Sequence, residues 1–298
     1  MIPVTPSAEA SRFWAAVKAA PQQVSLPVAE RRAAGELAET ATSEPVGVVR
    51  RDWAEHHGLR MSPTSTPVVS RVLYLFGGGY MLGSPQSRWK TAGHLAAAAG
   101  ADVFVPGFRL APENPYPAGL EDVLAAWVSM CATDLPCFVA GDSSGGGMAL
   151  ALALLARERG ATVPRGVVAF SPWADLTCSG ASFADHADRD IECTADSLLE
   201  MAGWYASGTD PRDPLLSPVF AAPIAFPPLL AFVGSEEVLL DDAARMVRAS
   251  GGAGNDATLV IGAGMQHVYP IWCGAFPEAG QAIDQTGAWL RVRSNVGG

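Results

Sequence analysis

Three stretches of this chain carry side chains and backbone that together could perform acyl transfer. The first is GDSSG at 141–145, a G-x-S-x-G pattern that puts forward Ser143 as a nucleophile. The pattern is weak by itself, but PCFVA before it reads as a buried strand and GGMALALALLARERG after it reads as a helix. A sharp turn between strand and helix forces a serine into an exposed, strained position, and the helix N-terminus behind it favours developing negative charge. A phosphate-binding turn is the other use of such a loop; no lysine follows, and neither GxGxxG nor GxxxxGK[ST] occurs. The second stretch is FGGGYMLGS at 76–84, directly after RVLYLF. Three successive glycines make poor regular structure and suit a loop whose bare N–H groups must approach a ligand, as in an oxyanion hole. Gly77 and Gly78 are the expected loop donors, with Gly79 a third candidate, and Ser144 supplies the N–H after the nucleophile. The third is the region after LLAFV, where VGSEEVLLDD offers Glu236, Glu237, Asp241 and Asp242, followed by His267 on the turn after Thr258–Ile261. The chain order Ser, acid, His is that of strand-edge hydrolases. His56, His57, His94 and His186 fall outside the slot, and the His56–His57 pair has no third ligand, so no metal is expected.

These groups need a scaffold that brings distant loops to one edge. The expected strands are Val46–Val49, Arg71–Phe76, Asp102–Pro106, Pro136–Ala140, Gly166–Phe170, Leu229–Val233 and Thr258–Ile261. Helical stretches alternate with them at Gln86–Ala99, Gly119–Cys131, Gly145–Arg159, Asp241–Gly251 and Pro277–Arg293. This alternation predicts an α/β fold with a mostly parallel twisted sheet covered by helices on both faces, whose C-terminal strand edge binds ligands. Two segments lie outside the rhythm. The first 45 residues read as two helices, one capped by Ser7 and ended by Pro21, the other over Pro27–Thr40. Ser182–Gly208, with the helical TADSLLEMAGWYASG, reads as an insertion over that strand edge. The expected organisation is therefore 1–45 and 182–208 as a helical cap, with 46–181 and 209–298 as the core.

Composition narrows the partners. The 298 residues carry 30 acidic and 20 basic side chains, a formal charge of −10, and only Lys18 and Lys90 are lysines, which disfavours nucleic acid. Hydrophobic content of 49% supplies a large core, yet no apolar run reaches the roughly 18 residues of a membrane span. The opening MIPVTPSAEASR shows no basic, apolar leader, and five cysteines without CxxC spacing fit a reducing cytoplasm.

With these motifs in hand, the chain resembles the bacterial hormone-sensitive-lipase-like (family IV) carboxylesterases of the α/β-hydrolase fold. The resemblance runs through LYLFGGGYMLGSP, FRLAPENPYPAGLEDV, GDSSGGGMAL, SPWADLT, DPRDPLLSPVF, VGSEEVLLDDA and MQHVYP, in that order and over nearly the whole chain. It implies a serine esterase acting without a cofactor on short- to medium-chain acyl esters. It also implies His267 as the base and a homodimer formed through a sheet edge. Laid on the family's acid turn, VGSEEVLLDDA puts Glu237 in the acid position, 30 residues before His267, with Asp241 and Asp242 opening the next helix. Two departures stand out: Phe76 where the oxyanion motif usually opens with histidine, and glutamate where the acid is usually aspartate. Phe76 should position the loop by packing. Arg109 and Glu113 are expected to brace each other, and Asp142 to support the turn. Among the aromatics of the cap and oxyanion loop (Phe13, Trp14, Trp204, Tyr205, Tyr80), Tyr80 and Tyr205 are the expected substrate contacts. A lactone or natural-product ester would use the same residues, and a non-catalytic ligand-binding homologue is the rival reading, with Phe76 as its argument.

Overall fold

The computed structural model describes residues 5–20, 27–38, 41–221 and 226–295. Eight strands among them form one sheet in the order β1-β2-β4-β3-β5-β6-β7-β8. These are β1 (Val48–Trp53), β2 (Gly58–Pro63), β3 (Ser70–Leu75), β4 (Ala101–Val105), β5 (Cys137–Asp142), β6 (Val167–Phe170), β7 (Leu229–Gly234) and β8 (Ala257–Gly262). All neighbours from β4 to β8 are parallel; β1 and β2 add an antiparallel edge. The sequence predicts seven of the eight. It misses β2, and it ends β1 at Val49, where the strand runs on to Trp53. The polar alternation of RRDW and GLRMSP hides a hairpin closed through His57, whose φ of 46° is left-handed.

Side-chain alternation sends neighbouring strand residues into two cores. Leu73, Leu75 and Val139 pack with helices α4 (Ala118–Met130) and α5 (Ser144–Glu158). Val72, Tyr74, Phe138 and Ala140 pack on the other face with α3 (Trp89–Ala99) and α9 (Pro277–Ser294). Helix α8 (Leu240–Gly252) extends the first layer over β7 through Ala243. No described helix is long and apolar enough to cross a membrane.

The helices outside this rhythm lie over the loops at one strand edge. Ser7 caps α1 (Ala8–Ala19) by accepting from the Ala10 N–H. Trp14 and Phe13 of α1 meet Phe276 and Trp272. Pro21, expected to end this helix, lies outside the described residues, as does Thr40 beyond α2 (Val28–Ala38). Arg32 on α2 donates to the Met81 and Ala111 carbonyls and grips Glu113 at 2.8 and 2.9 Å. That corrects the expected Arg109–Glu113 brace: Arg109 pairs with Asp122 instead, at 2.7 and 2.8 Å. The partner of Glu113 comes from a helix distant in sequence, so no local reading could supply it. Within 182–208 lie α6 (Ser182–Asp185) and α7 (Ala195–Ala206), the latter opened by a Thr194–Ser197 capping box.

Glycine is required where α5 crosses β3. A Cβ at Gly145 would sit 2.2 Å from the Leu75 carbonyl oxygen, whereas one at Gly280 on α9 would meet nothing within 4 Å. Gly145→Ala should therefore destabilise by about 1–3 kcal/mol. Gly280→Ala should stabilise by about 0.5–1 kcal/mol through helix propensity. Urea unfolding of the two variants checks the opposite signs.

Candidate active site

Ser143, Glu237, His267 and the glycine loop each stand just past the end of a parallel strand, so the sheet gathers them at one edge. Ser143 links β5 to α5 with φ 54° and ψ −124°, a sparsely populated conformation. Its N–H donates to the Phe170 carbonyl, and its own carbonyl accepts from Gly147 and Trp173 N–H groups, all at 2.9–3.0 Å. Those bonds hold the strained turn and leave the hydroxyl facing a cavity.

His267, after β8, places Nε2 at 2.9 Å from Ser143 Oγ and Nδ1 at 2.8 Å from Glu237 Oε2. A carboxylate can only accept, so Nδ1 carries the proton and Nε2 is left to accept from the serine hydroxyl. Glu237 is fully buried, and its Oε1 accepts from Ser171 Oγ at 2.7 Å and from the Gly234 N–H. Ser171 Oγ also accepts from the Val268 N–H at 3.0 Å, so one hydroxyl fixes the acid and the histidine loop together. In the sequence Ser171 is visible only as the first residue of SPWADLT. Glu236 turns the other way, into a bidentate pair with Arg189 at 2.9 Å. Asp241 and Asp242 open α8 and hold backbone N–H groups of Ser182, Ala174 and Asp175. The geometry thus brings Ser143, His267 and Glu237 together and keeps the other three carboxylates apart from them.

The glycine loop faces the serine. Gly78 adopts φ 126°, open only to glycine, and the Met81 and Leu82 N–H groups cap its carbonyl. The N–H groups of Gly77, Gly78 and Ser144 make no loop hydrogen bond among the described residues. The loop is tied to the elbow where the Tyr80 N–H donates to Ser144 Oγ at 3.1 Å. Buried Asp142 props it from below: it accepts from Tyr74 and Arg88, and a Cβ on Gly77 would lie 2.5 Å from Asp142 Oδ2. Phe76 is buried and stacks on Phe108 with centroids 4.1 Å apart, so it braces the loop by packing.

A cavity of about 290 Å³ opens above the triad-like row. Gly77, Gly78, Ser143 and His267 form its floor, and Leu198, Met201, Ile271 and Trp272 much of its wall. Tyr80 and Tyr205, expected to touch substrate, are not part of it. They are buried and stacked on each other at 3.8 Å and 1°, pinning α7 to the loop beside the elbow. The sequence shows aromatics near the site but not which face of α7 they occupy; Met201 and Leu198 take the cavity face instead. A depression of about 870 Å³ at the opposite strand edge is larger, but it holds no nucleophile–base pair, so size does not locate the chemistry. No three His, Cys, Asp or Glu side chains among the described residues converge as metal ligands.

Known proteins share this fold. The model of the alpha/beta hydrolase fold family matches residues 72–271. An acetyl-hydrolase of Streptomyces hygroscopicus is 42% identical over 76% of this chain and 77% of its own length. A bacterial esterase of the hormone-sensitive lipase family superposes with a TM-score of 0.90 at 31% identity, over 98% of this chain and all of that one. The chain belongs to the hormone-sensitive-lipase-like esterases of the α/β-hydrolase fold. Another relative, the carboxylesterase NlhH of Mycobacterium tuberculosis, is 34% identical over 74% of this chain and 72% of its own. This family member is accordingly an esterase, a carboxylic ester hydrolase.

Electrostatics sets how the esterase responds to pH. Burial opposes the imidazolium of His267, but the neighbouring Cys193 sulfur and the Glu237 carboxylate favour it, and the net pKa lies well above the ordinary histidine value. If His267 serves as the base it must be neutral, so kcat/KM should rise with pH through a midpoint above about 6.5 and be lost below it. Glu237→Gln removes the countercharge and should cost about 10⁴ in kcat, as a comparable change does in a serine protease. Glu237→Asp should lose an intermediate amount, and Glu236→Gln should stay near wild type, since an exposed ion pair contributes only about 0–1 kcal/mol. Kinetics of the three variants across pH checks the order; a severe Glu236→Gln with a mild Glu237→Gln reverses it.

Proposed function

We propose that this esterase hydrolyses short- to medium-chain acyl esters in two acyl-transfer steps. The observation that carries the reading is the continuous row of hydrogen bonds from Ser143 through His267 to Glu237, set beside free backbone N–H groups. Ser143 Oγ attacks the ester carbonyl while His267 Nε2 takes its proton. Glu237 holds the imidazole in the required tautomer and stabilises the imidazolium. The carbonyl oxygen, now negative, is received by the N–H groups of Gly77, Gly78 and Ser144, aided by the N-terminus of α5. His267 returns the proton to the departing alkoxide, then activates a water that releases the acid and regenerates Ser143. A lactone or natural-product ester fits the same steps.

The chain-length reading rests on the cavity. A volume of about 290 Å³ lies at the small end of ligand cavities and suits a compact ester. The segments 1–45 and 182–208 act in this proposal as a cap on the core formed by 46–181 and 209–298. In support, Leu198 and Met201 wall the cavity and Arg32 ties α2 to the loops beneath. The outer edge of β8, with Ile261 exposed, is where a second copy would add a strand to form a dimer.

A series of p-nitrophenyl esters tests the proposal. Turnover should be highest for acyl chains of about four to six carbons and fall at least tenfold by about twelve. Ser143→Ala should lose several orders of magnitude while keeping its fold. Retention of more than about a tenth of wild-type turnover would contradict the assignment of Ser143.

A further inference from the structure

One wall of the cavity carries a carboxyl group that the acyl-transfer steps do not use. Glu192, in the turn leading to α7, lines the cavity beside Cys193 and His267. Its Oε1 is shielded from solvent and has no hydrogen-bond partner among the described residues. The turn itself is fixed: Asp190 Oδ1 accepts from the N–H groups of Glu192 and Cys193 at 2.9 and 2.8 Å, and Asp190 Oδ2 from that of Val238 at 2.9 Å. A shielded acceptor without a donor is unfavourable, and a bound group that donates to it relieves the cost.

Of the charged groups facing Glu192, Asp190 and Glu237 oppose its negative charge, and Arg88 and a protonated His267 favour it. Arg88 is engaged by buried Asp142 through both Nε and Nη2. Glu237 and Asp190 carry the same sign as Glu192, and His267 opposes them only when protonated. Burial first, then Asp190 and Glu237, push the Glu192 carboxyl up to about 7 against the pull of His267 and Arg88. Asp190 and Glu237 thus add negative charge beside Glu192, in a chain whose formal charge of −10 also draws cations inward.

We propose that Glu192 is a specificity residue that accepts a hydrogen bond from an ammonium group of the substrate, so that the enzyme favours amine-bearing esters over uncharged esters of the same shape. The proposal rests on the esterase reading of Ser143. The donor, a protonated secondary or tertiary amine on the alcohol or acyl part, would reach into the cavity and neutralise the surplus negative charge. A charge-assisted bond of this kind corresponds to about tenfold or more in kcat/KM.

Two isosteric pairs test it: 2-(dimethylamino)ethyl acetate against 3-methylbutyl acetate, and ethyl N,N-dimethylglycinate against ethyl 3-methylbutanoate. The measured quantity is the kcat/KM ratio within each pair, for the wild type and for Glu192→Gln, which keeps the side chain's size. In at least one pair the ratio should be about tenfold higher in the wild type than in the variant. For the acetate pair the two substrates share the His267 profile, which cancels in the ratio. If the alcohol part carries the contact, that ratio should also grow between about pH 6 and pH 8, as Glu192 ionises while the amine stays protonated. Ratios equal in wild type and variant for both pairs overturn the assignment of Glu192. Turnover of the uncharged esters that Ser143→Ala abolishes speaks for the esterase reading separately, so a failed ratio then removes Glu192 alone. Absence of turnover on all four esters overturns both.

Discussion

The backbone of Ser143 is the constraint around which the rest of the molecule is arranged. A non-glycine residue at φ 54° and ψ −124° costs about 1–3 kcal/mol, and it persists only where its surroundings allow no alternative. Here β5 and β6 hold the turn from one side and α5 from the other, through the Phe170 carbonyl and the Gly147 and Trp173 N–H groups. Gly145 lets α5 lie directly on the carbonyl end of β3, and that contact also brings the glycine loop after β3 against the elbow. The same crossing aims the helix N-terminus at the serine. Ser143, the N–H groups of the glycine loop and the N-terminus of α5 are therefore set by one packing arrangement.

Glu237 forms the second fixed point, and its buried charge is stable because its oxygens are occupied. One meets His267; the other takes a hydroxyl and a backbone N–H. Ser171 shares its hydroxyl with the histidine loop, so one group holds both Glu237 and the backbone beside His267. Asp142 repeats the pattern under the glycine loop with Tyr74 and Arg88. Buried polar networks of this kind rigidify a site when every member is satisfied. In the wall of the cavity Glu192 departs from this pattern, with one shielded oxygen left without a donor among the described residues. The site thus combines a hydrogen-bonded floor with an unsatisfied acceptor in the wall of its cavity.

Much of this was legible in the sequence because the relevant signals are local. The β-rich runs and the helices between them fix the parallel sheet, and G-x-S-x-G between a strand and a helix marks the elbow. Glu237 could be separated from Glu236 only by laying the loop on a family pattern; spacing left both open. What stayed hidden depends on long-range geometry. The β1–β2 hairpin is polar enough to read as loop, and the partner of Glu113 comes from α2. Tyr80 and Tyr205 have the composition of substrate contacts, yet each satisfies the other's apolar face by stacking, which leaves the cavity to Leu198, Met201 and Trp272. Ser171 and Glu192 carry no motif signal of their own, because a hydroxyl bridging two loops and a carboxyl facing a void exist only once the chain has folded.

In the proposed reaction Ser143 delivers the attacking oxygen while the N–H groups beside it receive the negative charge. A crystal structure of the enzyme inactivated with an alkyl p-nitrophenyl phosphonate tests both halves at once, since phosphorus stands in for the tetrahedral carbon. The expected adduct is a single bond from phosphorus to Ser143 Oγ, with the phosphonyl oxygen about 3 Å from the N–H groups of Gly77, Gly78 and Ser144. Modification at another side chain, such as Cys193, or a phosphonyl oxygen turned away from those N–H groups would contradict the account.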